Sequence, residues 1–190
     1  MVDREKLKLM TDEAIASEMV KTMDIRCFEE LYNRYEKLVF NKCLSFTKSK
    51  AVAQDITHDI FLKLFVSIGK FQGKSKFSTW LYSLSYNHCV NYVNRDRDAK
   101  MMRHAVDTDE LLNLQNPEDD FEIQSMEVER LKSALEKIDP EEKMILLLKY
   151  QDDASIGDLE ALYEIGTSAV KMRLSRAKSK LLKVYKTIEI

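Results

Sequence analysis

The chain has 190 residues, 45% of them hydrophobic, so it can bury a core but is too short for a large enzyme. It contains only 4 glycines and 2 prolines, which excludes the many turns of an all-β protein and predicts a helical fold. The net charge of −2 does not by itself indicate a polyanionic partner, but the charges are unevenly distributed along the chain.

The cysteines and the apolar segments indicate a cytoplasmic protein. Cys27, Cys43 and Cys89 include no Cys-x-x-Cys pair, and their odd number argues against a disulfide framework. The first residues alternate in charge and lack the apolar core of a signal peptide. The longest stretch without charged residues, 77–94, is too polar to span a membrane. We therefore expect a soluble cytoplasmic protein without membrane contact.

Residues 1–23 form an N-terminal extension whose periodicity is weak. Two interpretations remain open for it. It is either an extra helix, with Leu7, Met10, Ile15 and Met19 on its apolar side, or a flexible tail.

Three amphipathic helices are predicted within residues 24–98. The first spans residues 25–46 with Asp24 as its N-cap, the second carries apolar residues from 52 to 65, and the third runs over about 78–94. A basic loop with two glycines, at 69–75, separates the second helix from the third. Because the connecting loops are short, these helices predict a compact bundle.

An acidic stretch follows the bundle. Between Ala105 and Glu129 there are nine Asp or Glu residues and no Lys or Arg, and Pro117 lies within the stretch. This composition predicts a linker over residues 99–127. The predicted fold is therefore all-α, with two small helical domains joined by an acidic linker.

Residues 128–187 have the pattern of a helix-turn-helix domain. Asp139 followed by Pro140 predicts a helix start, and Ser155 with Asp158 predicts a capping pair for a short helix. A turn at 164–166, with Thr167 as N-cap, then begins a last helix that reaches about residue 185. A short helix, a tight turn and a longer helix form this DNA-binding motif.

The last predicted helix is strongly basic. Seven positive charges fall within 16 residues: Lys171, Arg173, Arg176, Lys178, Lys180, Lys183 and Lys186. Such a helix suits a phosphate backbone, although a solvated basic face is as compatible with composition alone. The preceding short helix and turn favour DNA binding.

The third predicted helix carries a neutral polar stripe with an aromatic neighbour. Its members are Ser83, Asn87, Asn91 and Asn94, with Trp80 beside them. Basic residues lie before and after the helix, which together with amide and aromatic groups suits a melted single strand. In the alternative interpretation, the aromatic residues belong mostly to the core: Trp80, Tyr82, Tyr86 and Tyr92.

The loop at 69–75 resembles a phosphate-binding loop but has only three residues between its glycines, where four are needed. The apolar run before it continues a helical period, so the strand that such a loop requires is missing. The histidines His58, His88 and His104 have no metal-binding spacing. We therefore expect no enzymatic activity, no cofactor and no metal.

Several segments share their order and spacing with one family: residues 28–32, 53–62 and 71–82 with Asn87 in the first domain, and 135–140 and 170–177 in the second. In these segments the chain resembles the extracytoplasmic-function (ECF) group of bacterial RNA polymerase sigma factors, in the sigma-70 family. The resemblance covers nearly everything after Asp24. It implies a promoter-specificity subunit that performs no bond chemistry.

The resemblance implies core RNA polymerase as a partner. The clamp helices of the largest subunit would receive the helix that bears Asp55, His58, Asp59 and Phe61. The flap of the second-largest subunit would be a further point of contact, and the acidic linker would follow the basic RNA path. An anti-sigma factor is a further partner that the resemblance suggests.

Promoter DNA, both duplex and melted non-template strand, is the second implied partner. The minus-ten element would be opened and bound through Phe71, Lys74, Lys76, Trp80, Ser83, Asn87, Asn91 and Arg95. The minus-thirty-five duplex would be contacted through Thr167, Ser168, Lys171, Arg173 and Arg176.

The chain departs from the family pattern at a few positions. His58 and Asp59 stand where Gln and Glu are usual, Glu160 replaces a small residue, and Glu164 replaces the turn glycine. A non-glycine residue at positive φ is strained, and added carboxylates repel phosphate. The second domain is therefore predicted to read DNA weakly, or to dock an accessory DNA-targeting or activator protein. The alternative function is a stand-alone helix-turn-helix regulator, from which only the first domain distinguishes the chain.

Overall fold

The computed structural model describes residues 4–101 and 126–188, with the side chains of 96–101 excepted. Within these ranges the chain forms helices joined by turns and contains no strand, as the composition predicted. It divides into two compact units, Met1–Val93 and Asn94–Ile190. Most of the predicted acidic linker lies outside the described residues.

The first unit contains helices α1 (Arg4–Leu9), α2 (Asp12–Thr22), α3 (Ile25–Thr47) and α4 (Lys50–Ser67) and most of α5 (Phe77–Met101). Between α4 and α5 lie a single 3-10 turn, Ile68–Lys70, and a non-helical loop of residues 71–76. Asp24 caps α3 as predicted, because its carboxylate accepts the N–H of Arg26 at 3.1 Å. Helix α5 continues beyond its predicted end at 94, since no glycine or proline interrupts the sequence before residue 101.

The N-terminal extension is helical and belongs to the core of the first unit. Leu7 of α1 and Ile15 and Met19 of α2 are fully buried, together with Leu31 of α3 and Leu64 of α4. Each fully buried aliphatic side chain contributes about 2 kcal/mol to folding. The flexible-tail interpretation is therefore wrong for residues 4–22.

Arg34 of α3 fastens the extension to the bundle. Its guanidinium group donates to the backbone carbonyls of Leu7, Lys8 and Met10 and to the carboxylates of Asp12 and Glu30. The last carbonyls of a helix lack N–H donors within the helix, and Arg34 supplies donors to this end of α1. Tyr35 donates its hydroxyl to the other oxygen of Asp12, and burial together with this carboxylate raises the pKa of Tyr35.

The second unit contains α6 (Val128–Leu135), α7 (Pro140–Leu146), α8 (Ile156–Tyr163) and α9 (Thr167–Thr187), with a π-helical turn, Leu147–Gln151, extending α7. Ser155 and Asp158 form the predicted reciprocal cap of α8. The predicted apolar stripe of α9 is buried: Val170, Leu174, Ala177 and Leu181. Helices α8 and α9 form the predicted helix-turn-helix.

The start of α9 differs from the sequence prediction. Gly166 is the N-cap, and Thr167 is the first helical residue. The Thr167 hydroxyl does not cap its own helix, because it donates to the carboxylate of Glu160 on α8. Glu160, which stands where the family has a small residue, therefore joins α8 to α9. None of the helices in the described ranges is long and apolar enough to cross a membrane.

Candidate nucleic-acid interface

The loop at residues 71–76 presents basic side chains at the start of α5. Lys74 and Lys76 are exposed, and Gly73 has φ 68°, a left-handed conformation that favours glycine. Phe71 is only 7% exposed, and its ring lies 5.6 Å from the ring of Phe77. The prediction that Phe71 contacts DNA is therefore corrected, because its side chain belongs to the core and anchors the loop.

Trp80 lies at the edge of this aromatic cluster. Its ring centroid is 5.6 Å from that of Phe71 and 6.2 Å from that of Phe77, and the side chain is half-buried. The indole is thus held from one side by the core while part of it remains accessible. The core interpretation is correct for Tyr86, which is 0% exposed, whereas Tyr92 is 38% exposed.

The polar stripe of α5 begins one turn later than predicted. Ser83 is buried, and its hydroxyl accepts a hydrogen bond from the Asn87 side chain at 3.4 Å. Asn87, Asn91 and Arg95 are exposed on the surface. Ser83 therefore supports Asn87 from below and does not itself reach a ligand.

Lys42 of α3 was not singled out by the sequence analysis. It is 6% exposed, and its ammonium group donates to the Tyr86 hydroxyl at 3.1 Å and lies 4.0 Å from the centre of the Tyr82 ring. A buried ammonium group needs such partners. Lys42 therefore ties α3 to the inner side of α5, and no local sequence pattern could reveal a contact between residues this far apart.

Helix α4 presents a second candidate surface. Asp55, His58 and Asp59 are exposed, as a docking site requires, but Phe61 is 2% exposed. Its ring lies 4.6 Å from that of Tyr32, in the interface between α3 and α4, so a direct contact of Phe61 with a partner is corrected to a core role.

Two apolar side chains of α4 extend this surface. Leu62 is 66% exposed and Val66 is 84% exposed. Helical geometry places them in one row with Asp55 and Asp59. The outer face of α4 is thus acidic at its start and apolar at its end. The apolar repeat that predicts α4 follows the opposite, buried face and therefore does not indicate Leu62 or Val66.

The basic residues of α9 differ in their surroundings. Thr167, Ser168, Lys171 and Arg176 are exposed on the surface, although the Thr167 hydroxyl is bound to Glu160. The guanidinium carbon of Arg173 lies 5.3 Å from the centre of the Tyr163 ring, at cation–π distance. The structure thus places all five predicted residues on α9, two of them held by side chains of α8.

Further along α9, the ammonium group of Lys180 lies 2.6 Å from Glu142 and 3.4 Å from Asp139. The hydrogen bond to Glu142 raises the pKa of Lys180, whereas burial raises the pKa of Glu142. Lys178 lies 5.3 Å from the centre of the Tyr150 ring. Much of the positive charge of this helix is therefore engaged within the unit.

The turn between α8 and α9 is strained. Glu164 has φ 53°, in the left-handed region, as the missing glycine predicted. Burial raises the pKa of the neighbouring Tyr163 to about 12.

Within the described residues, no group of three or more His, Cys, Asp or Glu side chains is placed to hold a metal ion.

Comparison with known families accounts for both units. Residues 31–98 match the model of sigma-70 region 2, and residues 128–181 match that of sigma-70 region 4. Among curated proteins, the chain is 24% identical over 173 residues to the ECF RNA polymerase sigma factor SigW of Bacillus subtilis (strain 168), covering 86% of this chain and 91% of that protein. The chain belongs to the sigma-70 family, as a sigma factor of the ECF group.

Other relatives agree with this assignment. This chain is 25% identical over 180 residues to the ECF RNA polymerase sigma-E factor of Escherichia coli (strain K12), and the alignment covers 89% of this chain and 91% of that protein. The match of both regions in one chain favours the sigma factor over the stand-alone regulator, which has no use for region 2.

Solved structures share the fold. The structure of CnrH in complex with the cytosolic domain of CnrY aligns with a TM-score of 0.63 at 18% identity, covering 94% of this chain and 99% of that chain. The sigma factor RpoE, in complex with the anti-sigma factor NepR from Bartonella quintana, aligns with a TM-score of 0.57 at 17% identity. The alignment covers 85% of this chain and 98% of that chain.

In this sigma factor the loop at 71–76, helix α4 and helix α5 lie within the region 2 match, and α8 and α9 up to residue 181 lie within the region 4 match. Helices α1 and α2 precede both matches. Sigma factors bind core RNA polymerase and promoter DNA, and they are not enzymes.

Proposed function

We propose that this sigma factor selects and opens promoters mainly through its first unit. The observation that carries the proposal is the surface of α5, where Asn87 and Asn91 are exposed between the basic loop and Arg95. Amide groups hydrogen-bond to base edges, and aromatic rings stack on them, whereas lysine and arginine mostly bind phosphates. This combination suits the melted non-template strand of the minus-ten element.

In the proposed complex, Lys74, Lys76 and Arg95 bind the phosphate backbone, and Asn87 and Asn91 contact bases. Trp80 offers the accessible part of its indole to an unstacked base. Phe71 and Ser83 act from below, because both are buried. We assign no bond chemistry to the chain, which would act in the cytoplasm, where core polymerase and DNA are present.

Variants of α5 test this proposal. Trp80→Ala and Asn87→Ala should each reduce promoter opening about tenfold, since stacking or base contacts contribute roughly 1–3 kcal/mol each. Affinity for core polymerase should stay unchanged. Asn33→Ala, which removes an exposed amide from α3, is the matched control. Normal opening by both α5 variants would refute the assignment.

We propose that the outer face of α4 docks on the clamp helices of the polymerase's largest subunit. Its exposed carboxylates, Asp55 and Asp59, suit a basic partner, and His58 lies beside them. Asp55→Arg should weaken binding to core polymerase at least about tenfold, since reversing a charge replaces attraction by repulsion. Lys50→Glu, a charge reversal at the start of the same helix, is the control. Equal affinities for Asp55→Arg and the wild type would refute this docking site.

We propose that the second unit contacts the minus-thirty-five element weakly and also docks on the flap of the second-largest subunit. Thr167, Ser168, Lys171, Arg173 and Arg176 remain its candidate DNA contacts. Weak reading of DNA is supported by Thr167 and Arg173, whose side chains already contact α8, and by the acids at 160 and 164. The same features support a role for an accessory DNA-targeting or activator protein. A strong footprint of the polymerase complex over the minus-thirty-five duplex, without any accessory protein, would contradict this part.

We propose that an anti-sigma factor regulates this chain. The support is the likeness in fold to RpoE, which was solved in complex with the anti-sigma factor NepR. Such an inhibitor would block the binding of core polymerase. The test is competition, in which a cognate inhibitor should displace the purified sigma factor from core polymerase at stoichiometric concentration.

A further inference from the structure

A hydrogen bond joins the N-terminal extension to the start of the DNA-opening helix. The Glu13 carboxylate of α2 accepts the backbone N–H of Phe77 at 3.0 Å, across 64 residues of sequence. Phe77 is the first residue of α5, so its N–H has no acceptor within its own helix. The carboxylate also lies at the positive end of the helix dipole. Glu13 therefore stabilises α5 at its first residue.

Helix α2 contacts the other end of the basic loop as well. It packs against the 3-10 turn Ile68–Lys70, which precedes the loop, while Glu13 binds the residue that follows it. Ile68 and Phe77 are 1% and 0% exposed, so both ends of the loop are anchored in the core. Lys74 and Lys76 extend from the segment between these two anchors.

The position of α2 is itself fixed by α3. Asp12, the residue before Glu13, accepts a hydrogen bond from Arg34 at 2.7 Å and another from the Tyr35 hydroxyl. Arg34 is 25% exposed and Asp12 is 28% exposed, so the ion pair is partly shielded from water. Hydrogen bonds thus join α3 to Asp12, and the neighbouring residue Glu13 is joined by another hydrogen bond to the first turn of α5.

We propose that Glu13 is a positioning residue for promoter opening. It holds the loop at 71–76 and the first turn of α5 in the arrangement in which Lys74, Lys76 and Trp80 contact DNA. This inference rests on the proposed function of α5, and it assigns a role in promoter opening to a helix outside the region 2 match. Glu13 acts through Phe77 and does not touch DNA.

A pair of variants in the full chain, bound to core polymerase, isolates the hydrogen bond. Glu13→Ala removes the acceptor, whereas Glu13→Gln keeps an acceptor oxygen, and both remove the same negative charge. Glu13→Ala should reduce the open complex about fivefold, the usual effect of losing a helix cap. Glu13→Gln should stay within about twofold of the wild type. The readout is permanganate reactivity of unpaired thymines in the minus-ten element.

Two controls separate positioning from general effects. Glu18→Ala removes an acid elsewhere on α2 and should leave opening unchanged. The affinity of Glu13→Ala for core polymerase should equal that of the wild type, because α4 is not altered. If Glu13→Ala does not fold, Glu13→Asp replaces it, since the shorter side chain keeps the charge but withdraws the oxygens from Phe77.

The outcomes distinguish this inference from the proposed function. If Trp80→Ala and Asn87→Ala impair opening but Glu13→Ala does not, the positioning role is wrong while the role of α5 stands. If all three open promoters normally, the role of α5 is wrong. If Glu13→Gln fails as severely as Glu13→Ala, charge and not the hydrogen bond is responsible, and the inference is overturned.

Discussion

The two units of this sigma factor hold their proposed DNA-binding side chains in different ways. In the first unit, Phe71, Phe77 and Ser83 are buried and support the surface from within, whereas the polar side chains on that surface are exposed. In the second unit, surface side chains are themselves engaged, as in the contact of Arg173 with Tyr163. The proposed contact residues of the first unit thus rest on a buried scaffold, whereas some of those of the second unit already contact side chains of α8.

The energies of these contacts decide how much weaker the binding of DNA by the second unit should be. A cation–π contact at an exposed site is worth about 0.5–1 kcal/mol, and an exposed ion pair no more than about 1 kcal/mol. Releasing one or two of them costs up to about 2 kcal/mol, or roughly a factor of thirty in affinity at most. We therefore expect the second unit to be weakened as a DNA reader but not disabled, and we expect the carboxylates of Glu160 and Glu164 to add repulsion of phosphate.

The largest predicted effect concerns the support of the first unit. Arg34→Ala should lower the free energy of unfolding of this unit by about 3 kcal/mol, because three carbonyls and two partly buried carboxylates each lose a hydrogen-bond donor. The single tryptophan, Trp80, lies in the first unit, so urea denaturation followed by its fluorescence measures this unit. Arg4→Ala, which breaks an exposed ion pair with Glu29, should cost less than about 0.5 kcal/mol. Similar losses in both variants would mean that Arg34 does not anchor the extension.

The second prediction uses pH to examine the second unit. Burial raises the pKa of Tyr163 to about 12, so its neutral form is favoured by folding. The resulting stability is fully present below the ordinary pKa of 10.0 and is lost as pH rises towards 12. The loss should reach about 2 kcal/mol in the wild type and be absent in Tyr163→Phe. Thermal unfolding of both proteins by circular dichroism, at a series of pH values from 9 to about 12, measures the difference, and parallel curves would refute the prediction.

The third prediction removes the strain and one acid from the turn of the helix-turn-helix. Glu164→Gly should stabilise the second unit by about 1 kcal/mol, because glycine adopts φ 53° without a steric penalty. It should also raise affinity for duplex DNA about threefold through the lost charge. Lys48→Gly, at φ 57° in the first unit, should give a similar stabilisation without the gain in DNA affinity. Unchanged DNA affinity in Glu164→Gly would show that this acid lies away from the phosphates.

The smallest predicted effect separates exposed from engaged lysines of α9. Lys171→Ala should reduce the salt dependence of DNA binding by about one phosphate contact. Lys180→Ala should change it less, because Lys180 is already paired with Glu142 at 2.6 Å. Binding isotherms at several salt concentrations give both slopes. Equal changes would mean that the intramolecular ion pair does not compete with DNA.

Local patterns predicted most of the fold. The helices followed from apolar periodicity, and the caps at Asp24 and Ser155 followed from single side chains with the right neighbours. The strained turn at Glu164 was also predictable, since its residue type conflicts with the required conformation. These features depend on residues within one or two helical turns of each other.

The sequence could not reveal features that depend on distant residues. Arg34 and Glu13 act across 24 and 64 residues respectively, so no spacing pattern indicates their partners. Phe61 and Phe71 lie inside segments that resemble functional motifs, but the structure buries both rings. An aromatic residue in a binding motif can support the surface from within, and only packing distinguishes this role from direct contact.

The measurement that tests the central claim most directly is transcription by this sigma factor with core polymerase from a library in which the minus-ten and minus-thirty-five elements are randomised separately. Our account predicts that randomising the minus-ten element reduces initiation by a factor of about 100 or more, and that randomising the minus-thirty-five element costs roughly tenfold or less. A larger loss from the minus-thirty-five element than from the minus-ten element would contradict the claim that the first unit carries promoter selection.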